Sequence, residues 1–272
     1  MPVVPEAAAS VSRLVTYNVH RCLGPDGELS PRRIAEVIAS LEPDIVALQE
    51  LDVRRARTKG VDQAAVIANQ LGMTMHFHAA VKVMEEESGD AILTTKSCRL
   101  VKAGHLRGRS LIPNREPRGV LWAAIEIGDA TLQLVNTHLG VTGRERITQV
   151  ETLLGPQWLG HPDCRDPVIL AGDFNALLHG RTCRLLAAKL GGSESADLLD
   201  GNLATFPSRV PVLGIDHVFA SPSVELLGAE VIRTTLARMA SDHLPLTVDF
   251  RLRNRARLAG QARAASSISN HN

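Results

Sequence analysis

Aromatic side chains make up only 3% of this chain, and it has a single tyrosine. So few rings leave little on which to stack the bases of a single-stranded nucleic acid. Cysteine is equally sparse. Cys22, Cys98, Cys164 and Cys183 form no CxxC pair and no His/Cys cluster at zinc spacing, so they read as reduced thiols of a cytoplasmic protein. No apolar run approaches the roughly 18 residues that a membrane span needs, and no integral membrane contact is expected. The opening residues MPVVPEAAAS lack both the positive and the apolar segment of a secretory signal, so none is expected. Neither sign of charge is in excess, the formal net charge being +1. Five arginines and no acid lie between Arg251 and Asn272, which leaves 25 basic side chains against 29 acidic ones in residues 1–250. A slightly acidic body with a basic tail is not the footprint of a tight duplex-DNA binder.

What is present is enough apolar material for a full core: 44% of 272 residues. No internal repeat or low-complexity linker interrupts residues 11–250. One domain over 1–250 is expected, as a monomer by default, with 251–272 a basic tail that frays or forms a short helix. Val11 to Tyr17 is a β-branched apolar run that predicts a strand. Ser30 and Pro31 suit the cap and first position of a helix, Ile34, Val37, Ile38 and Leu41 recur at helical spacing, and Pro43 stops it. Asp44 to Gln49 predicts a buried strand that ends on Glu50, and Val61 to Leu71 a helix closed by Gly72. Further strands are expected near 73–80, 90–95, 98–105, 118–127, 131–138, 168–171, 215–220, 224–234 and 243–250, and helices near 143–154 and 180–190. That mixture points to α/β (α+β) architecture, two packed sheets with helices on their outer faces.

Polar residues gather at the predicted strand ends: Asn18, Glu50, Asn136 to His138, Asp173 and Asn175, Asp216 and His217, and Ser241 to His243. Taken singly, each is more simply a cap, a turn or a satisfied hydrogen bond. Together they lie where an α/β fold places its site. The segments Thr16-Tyr17-Asn18-Val19, Leu48-Gln49-Glu50, Asn136-Thr137-His138-Leu139, Gly172-Asp173-Phe174-Asn175, Ile215-Asp216-His217-Val218 and Ser241-Asp242-His243-Leu244-Pro245 span nearly the whole chain. In that order they resemble the endonuclease/exonuclease/phosphatase superfamily, the DNase I-like fold.

The resemblance implies a four-layer α/β/β/α sandwich with the site where the sheets splay. It implies a divalent-metal-dependent phosphoester hydrolase, with Mg²⁺ or Mn²⁺ on Glu50, a hard carboxylate ligand. Asn18 would join as a ligand or through a metal-bound water, and Asp242 would complete the surroundings. His243 would be the general base, with Asp216 holding its other ring nitrogen. His138 would donate to a non-bridging phosphate oxygen, and Asn175 would be a neutral donor to the phosphate. Asp173 would either position the water or assist the leaving group. Asp90 stands where relatives often carry an amide, a place from which to orient His138. His20, His76, His78, His105 and His217 stay outside the catalytic set.

Two arginine-rich stretches flank the motifs: Arg54, Arg55, Arg57 and Lys59, and Arg107, Arg109, Arg115 and Arg118. Arg118, in Glu116-Pro117-Arg118-Gly119, is the best candidate to meet a substrate phosphate or to make a supporting ion pair. The 40 residues between Asn175 and Asp216 hold no long aromatic hairpin for membrane insertion. The substrate is left as a phosphoester of a small molecule, a lipid headgroup or a nucleic acid. A nuclease would use the same residues, and a scaffold that kept the fold without catalysis is the remaining alternative.

Overall fold

The computed structural model describes residues 10–108, 116–192, 194–198 and 203–253. Among the described residues, eleven strands form two sheets. The first holds, in spatial order, β10 (Val224–Val231), β11 (Leu246–Leu252), β1 (Ser12–Asn18), β2 (Ile45–Val53), β4 (Glu86–Thr94) and β3 (Thr74–Val83). The second holds β5 (Cys98–His105), β6 (Gly119–Ile127), β7 (Ala130–His138), β8 (Val168–Asp173) and β9 (Asp216–Ala220). Pairing is mixed: β1 with β2 and β7 with β8 run parallel, and the remaining pairs are antiparallel.

Alternation along each strand decides what it buries where. On β6, Leu121, Ala123 and Ile125 face the first sheet, while Val120 and Trp122 face the other way. On β8, Ile169 and Ala171 split from Val168 and Leu170 in the same manner. Helices α1 (Pro31–Ala39) and α2 (Gln63–Leu71) cover the outside of the first sheet through Ile34, Val37, Ile38 and Ile67. Helices α3 (Gly143–Leu154) and α4 (Arg181–Leu190) cover the second through Val150, Leu153 and Leu186. The result is the α/β/β/α sandwich of a DNase I-like fold.

Local signals acted as their chemistry requires. The Ser30 hydroxyl caps α1 by accepting from Arg33 N at 3.2 Å. Asp62 caps α2 by accepting from Ala65 N at 2.9 Å, so that helix begins at Gln63, not at Val61. Gly72 closes α2 with a left-handed φ of 63°.

Two expectations need correction. The strands near 224–234 and 243–250 are shorter at their facing ends, because a helical turn, α5 (Thr235–Ala240), lies between them, capped by Thr234. And β2 does not end at Glu50 but continues to Val53. Its register to β4 passes from Leu48↔Ala91 to Leu51↔Gly89, so Gln49 and Glu50 together oppose Asp90. This is a β-bulge, with Glu50 at φ 60°. The left-handed turn re-aims the Glu50 side chain, which a regular strand would have sent to a sheet face.

The bulge breaks the β2–β4 ladder locally, and the other sheet repairs it. Asn136 on β7 donates to Leu48 O and to Ala91 O, both at 2.9 Å, and accepts from Gln49 Nε2 at 2.8 Å. One fully buried amide thus clamps the two sheets beneath the site. Of the sequence expectations, Arg109, Arg115 and residues 254–272 of the basic tail lie outside the described residues.

Candidate active site

Register places three of the candidate residues on one rung. His138 pairs with Asp173 across β7 and β8, and Asp173 pairs with Asp216 across β8 and β9. Paired residues on neighbouring strands point to the same face. Gly172 makes the rung possible. A Cβ there would sit 1.9 Å from Thr137 O, and its φ is 145°. Asn18 ends β1 in the facing sheet, Glu50 stands on the bulge, and His243 precedes β11.

The side chains meet across the gap between the sheets. Asn18 Nδ2 donates to Asp173 Oδ2 at 2.9 Å and lies 3.4 Å from Glu50 Oε1. His243 Nδ1 lies 2.9 Å from Asp216 Oδ2, and His243 Nε2 lies 3.7 Å from Asp173 Oδ2. His138 is flanked on both ring nitrogens. Nδ1 has Arg118 Nη1 at 3.0 Å and Glu50 Oε1 at 3.7 Å, while Nε2 has Asn175 Nδ2 at 3.0 Å and Asp173 Oδ2 at 3.3 Å. A neutral ring carries one N–H, so it can accept from Arg118 or from Asn175 but not from both. Asn175 N also donates to Asp173 Oδ1 at 2.8 Å, which locks the turn after β8.

Burial and crowding of carboxylates set the protonation. Burial alone would lower His243, but the Asp216 and Asp173 carboxylates outweigh it and push the ring up to about 10. Asp173 is raised to about 7, first by burial and then by Asp216, against the pull of His243. Burial raises Asp242, and Glu50 and Asp216 add to that effect against His243 and His20. Asp90 is raised to about 7 by burial, which outweighs the attraction of Arg118, and it accepts the backbone N–H of Glu50. Five carboxylates therefore surround this pocket. Asp173, Asp216 and His243 also place one candidate ligand atom each within 4.8 Å of one another.

The family model described as the endonuclease/exonuclease/phosphatase family matches residues 15–243. The chain belongs to the endonuclease/exonuclease/phosphatase family. Among its relatives is the uncharacterized protein YbhP of Escherichia coli, 23% identical over 253 residues, which are 88% of this chain and 96% of that protein. An endonuclease/exonuclease/phosphatase structure from Beutenbergia cavernae superposes with TM-score 0.71 at 21% identity, covering 90% of this chain and 72% of that one. A mannosyl-6-phosphatase from Bacteroides thetaiotaomicron superposes with TM-score 0.70 at 19% identity, covering 88% and 99%.

Within this family member, eight of the nine residues expected from sequence form one chain of side-chain contacts, and Asp242 joins it through His20, which also bonds Asn18. Arg118 stands against His138, and Asp90 lines the same small cavity with Glu50, Arg118 and His138. Arg54, Arg55 and Arg57 instead pair with Glu85, Glu86, Asp52 and Glu116. Tyr17 is fully buried one residue before Asn18, and alternation sends it to the opposite face of β1.

Three contributors escaped the sequence reading. Thr205 Oγ1 donates to Asp216 Oδ2 at 2.5 Å. His20 N donates to Asn18 Oδ1 at 3.0 Å, and the His20 ring lies 3.7 Å from Asp242 Oδ1. His217 Nε2 faces Ala176 O at 2.9 Å, bracing the turn that carries Asn175. His20 and His217 adjoin motif residues, which was the available signal. For Thr205, nothing in the sequence distinguished it from any loop threonine.

Proposed function

We propose that the chain is a divalent-metal-dependent phosphoester hydrolase in which His243 activates the attacking water. The observation that carries this reading is the alignment of Asp216, His243 and Asp173 opposite Glu50 and Asn18. Asp216 occupies Nδ1 of the ring, which leaves Nε2 to face the cleft, as a general base requires. Asp173 Oδ2 lies 3.7 Å from that nitrogen and positions the water beside it. Asn175 and His138 hold the non-bridging phosphate oxygens, and Arg118 fixes the orientation of His138.

The donor set fits a hard divalent cation. Glu50, Asn18 and Asp242 offer oxygen ligands, and the buried carboxylates exceed the nearby cations. The Asp173, Asp216 and His243 cluster fits less well, because the short Asp216–His243 contact already uses one ring nitrogen and one carboxylate. When bound, Mg²⁺ or Mn²⁺ supplies positive charge that polarises a phosphate oxygen and draws the pKa of His243 back toward neutrality.

A phosphatase or phosphodiesterase acting on a modest-sized phosphoester agrees with the mannosyl-6-phosphatase neighbour and with the near-neutral charge balance. No described helix is long and apolar enough to cross a membrane, and the four cysteines are free. The test is hydrolysis of bis-p-nitrophenyl phosphate with Mg²⁺ or Mn²⁺, by wild type and by His243→Ala. Metal-dependent turnover lost in the variant supports the reading. A folded wild type that neither binds metal nor turns over any phosphoester points to a scaffold.

A further inference from the structure

A groove of about 400 Å³ lies between the loop after β1 and the loop after β2. Its size is that of a small-molecule site. Leu23 and Leu29 line it together with Arg21, Arg57, Lys59 and Glu28. The charges are not equally engaged. Arg57 is paired with Asp52 and Glu116, and Glu28 with Arg33. Arg21 and Lys59 have no carboxylate partner among the described residues, and Arg21 Nε is buried without a hydrogen-bond partner among them.

The backbone that presents these two cations is strained. His20, Arg21 and Cys22 have φ of 44°, 56° and 56°, and Lys59 has φ 59°. Three consecutive non-glycine residues in the left-handed region cost free energy that the surroundings must offset, and such strain gathers at ligand clamps. Here a buried glutamine holds both walls. Gln63 Nε2 donates to Arg21 O at 2.6 Å, and Gln63 Oε1 accepts from Asp52 N at 2.8 Å. The groove also adjoins the catalytic cleft. Arg21 Nη2 lies 3.0 Å from His20 Nε2, and His20 in turn touches Asn18 and Asp242.

We propose that this groove is a second anion subsite, in which Arg21 and Lys59 bind a phosphate of the substrate other than the one being cleaved. It rests on the hydrolase reading above and narrows it to substrates with a second phosphate. The apolar wall of Leu23 and Leu29 would pack the scaffold between the two phosphates, whether a sugar or a nucleoside.

The test compares substrates that differ only in that second phosphate, with Mg²⁺ present. One arm pairs a hexose bisphosphate with the hexose monophosphate, the other a 5′-phosphorylated dinucleotide with the unphosphorylated one. Wild type should prefer the additional phosphate by about tenfold or more in kcat/KM in at least one arm, which also tells sugar from nucleotide. The Arg21→Gln/Lys59→Gln double variant should lose that preference. Calorimetric titration with pyrophosphate gives a readout apart from turnover, with affinity expected to fall about tenfold in the variant. Should the double variant misfold, Lys59→Gln alone serves, since that side chain is on an exposed loop. No preference in either arm, or equal pyrophosphate affinity in wild type and variant, overturns the subsite. If wild type hydrolyses nothing, the hydrolase reading fails, and the pyrophosphate titration still decides the subsite.

Discussion

His243 Nδ1 stands 2.9 Å from Asp216 Oδ2, and that single contact orients the ring so that its other nitrogen looks into the cleft. A neutral ring bonded this way carries its proton on Nδ1 and a lone pair on Nε2. Replacing Asp216 by asparagine would let the amide donate to Nδ1 and move the ring proton to Nε2. Asp216→Asn should therefore cost nearly as much as His243→Ala, about a hundredfold or more in kcat. Phosphoester turnover at saturating metal checks this. An Asp216→Asn variant with near-wild-type kcat would remove His243 from the role of base.

The same pair sets a pH dependence of stability. His243 in the folded protein is raised to about 10. A raised histidine contributes stability that is complete below its unfolded pKa and is lost as pH rises through the folded one. Asp173, raised to about 7, acts in the same direction at lower pH, since the folded state holds that proton more tightly than the unfolded state does. The chelator-treated protein should lose stability steadily from about pH 4 to about pH 10. Asp216→Asn should flatten the upper half of that slope. Urea midpoints across this range are the measurement, and a flat wild-type profile would contradict the assigned shifts.

Glu50 sits on the bulge with its side chain toward Asn18 and His138. Glu50→Gln keeps the shape and removes a charge, so the metal concentration for half-maximal activity should rise about tenfold or more. Added Mg²⁺ should raise the melting temperature of wild type, because a cation that binds only the folded state stabilises it, and should raise that of the variant less. Calorimetric binding of Mg²⁺ and Mn²⁺ to both proteins checks this directly. Unchanged affinity would place the metal elsewhere, with the Asp173, Asp216 and His243 cluster the next candidate.

Asn136 tests the scaffold apart from the chemistry. Its amide is fully buried and serves Gln49, Leu48 O and Ala91 O at once. Asn136→Ala should destabilise the protein by about 3 kcal/mol, since two ladder carbonyls lose their donor. Urea denaturation measures the loss, and a double-mutant cycle with Gln49→Ala isolates the cross-sheet bond.

Much of this protein was legible before any fold was known. The strand runs, the Ser30 cap and the Gly72 stop are local properties, and residues next to one another in sequence decide them. Eight of the nine candidate residues could be named from the order of their motifs, because each lies next to a predicted strand, either just past its end, as Asn18 does, or just before its start, as His243 does, and Arg118 came from its arginine-rich stretch. What the sequence could not express was register. Glu50 reads as the end of a strand, yet it is a bulge, and only the pairing of β2 with β4 reveals the extra residue. Thr205 reaches Asp216, and Asn18 reaches Asp173 from 155 positions away, through sheet packing that no local pattern encodes. The short α5 helix offered too few residues to show a period. The protonation of His243 was tertiary as well. An isolated histidine titrates near neutrality, and it took two neighbouring carboxylates, outweighing the opposing effect of burial, to raise it. The sequence alone thus determined which chemical groups are available and at which strand ends they emerge. The tertiary structure decided which of them touch, because distances, desolvation and the charge of neighbours exist only once the two sheets have packed.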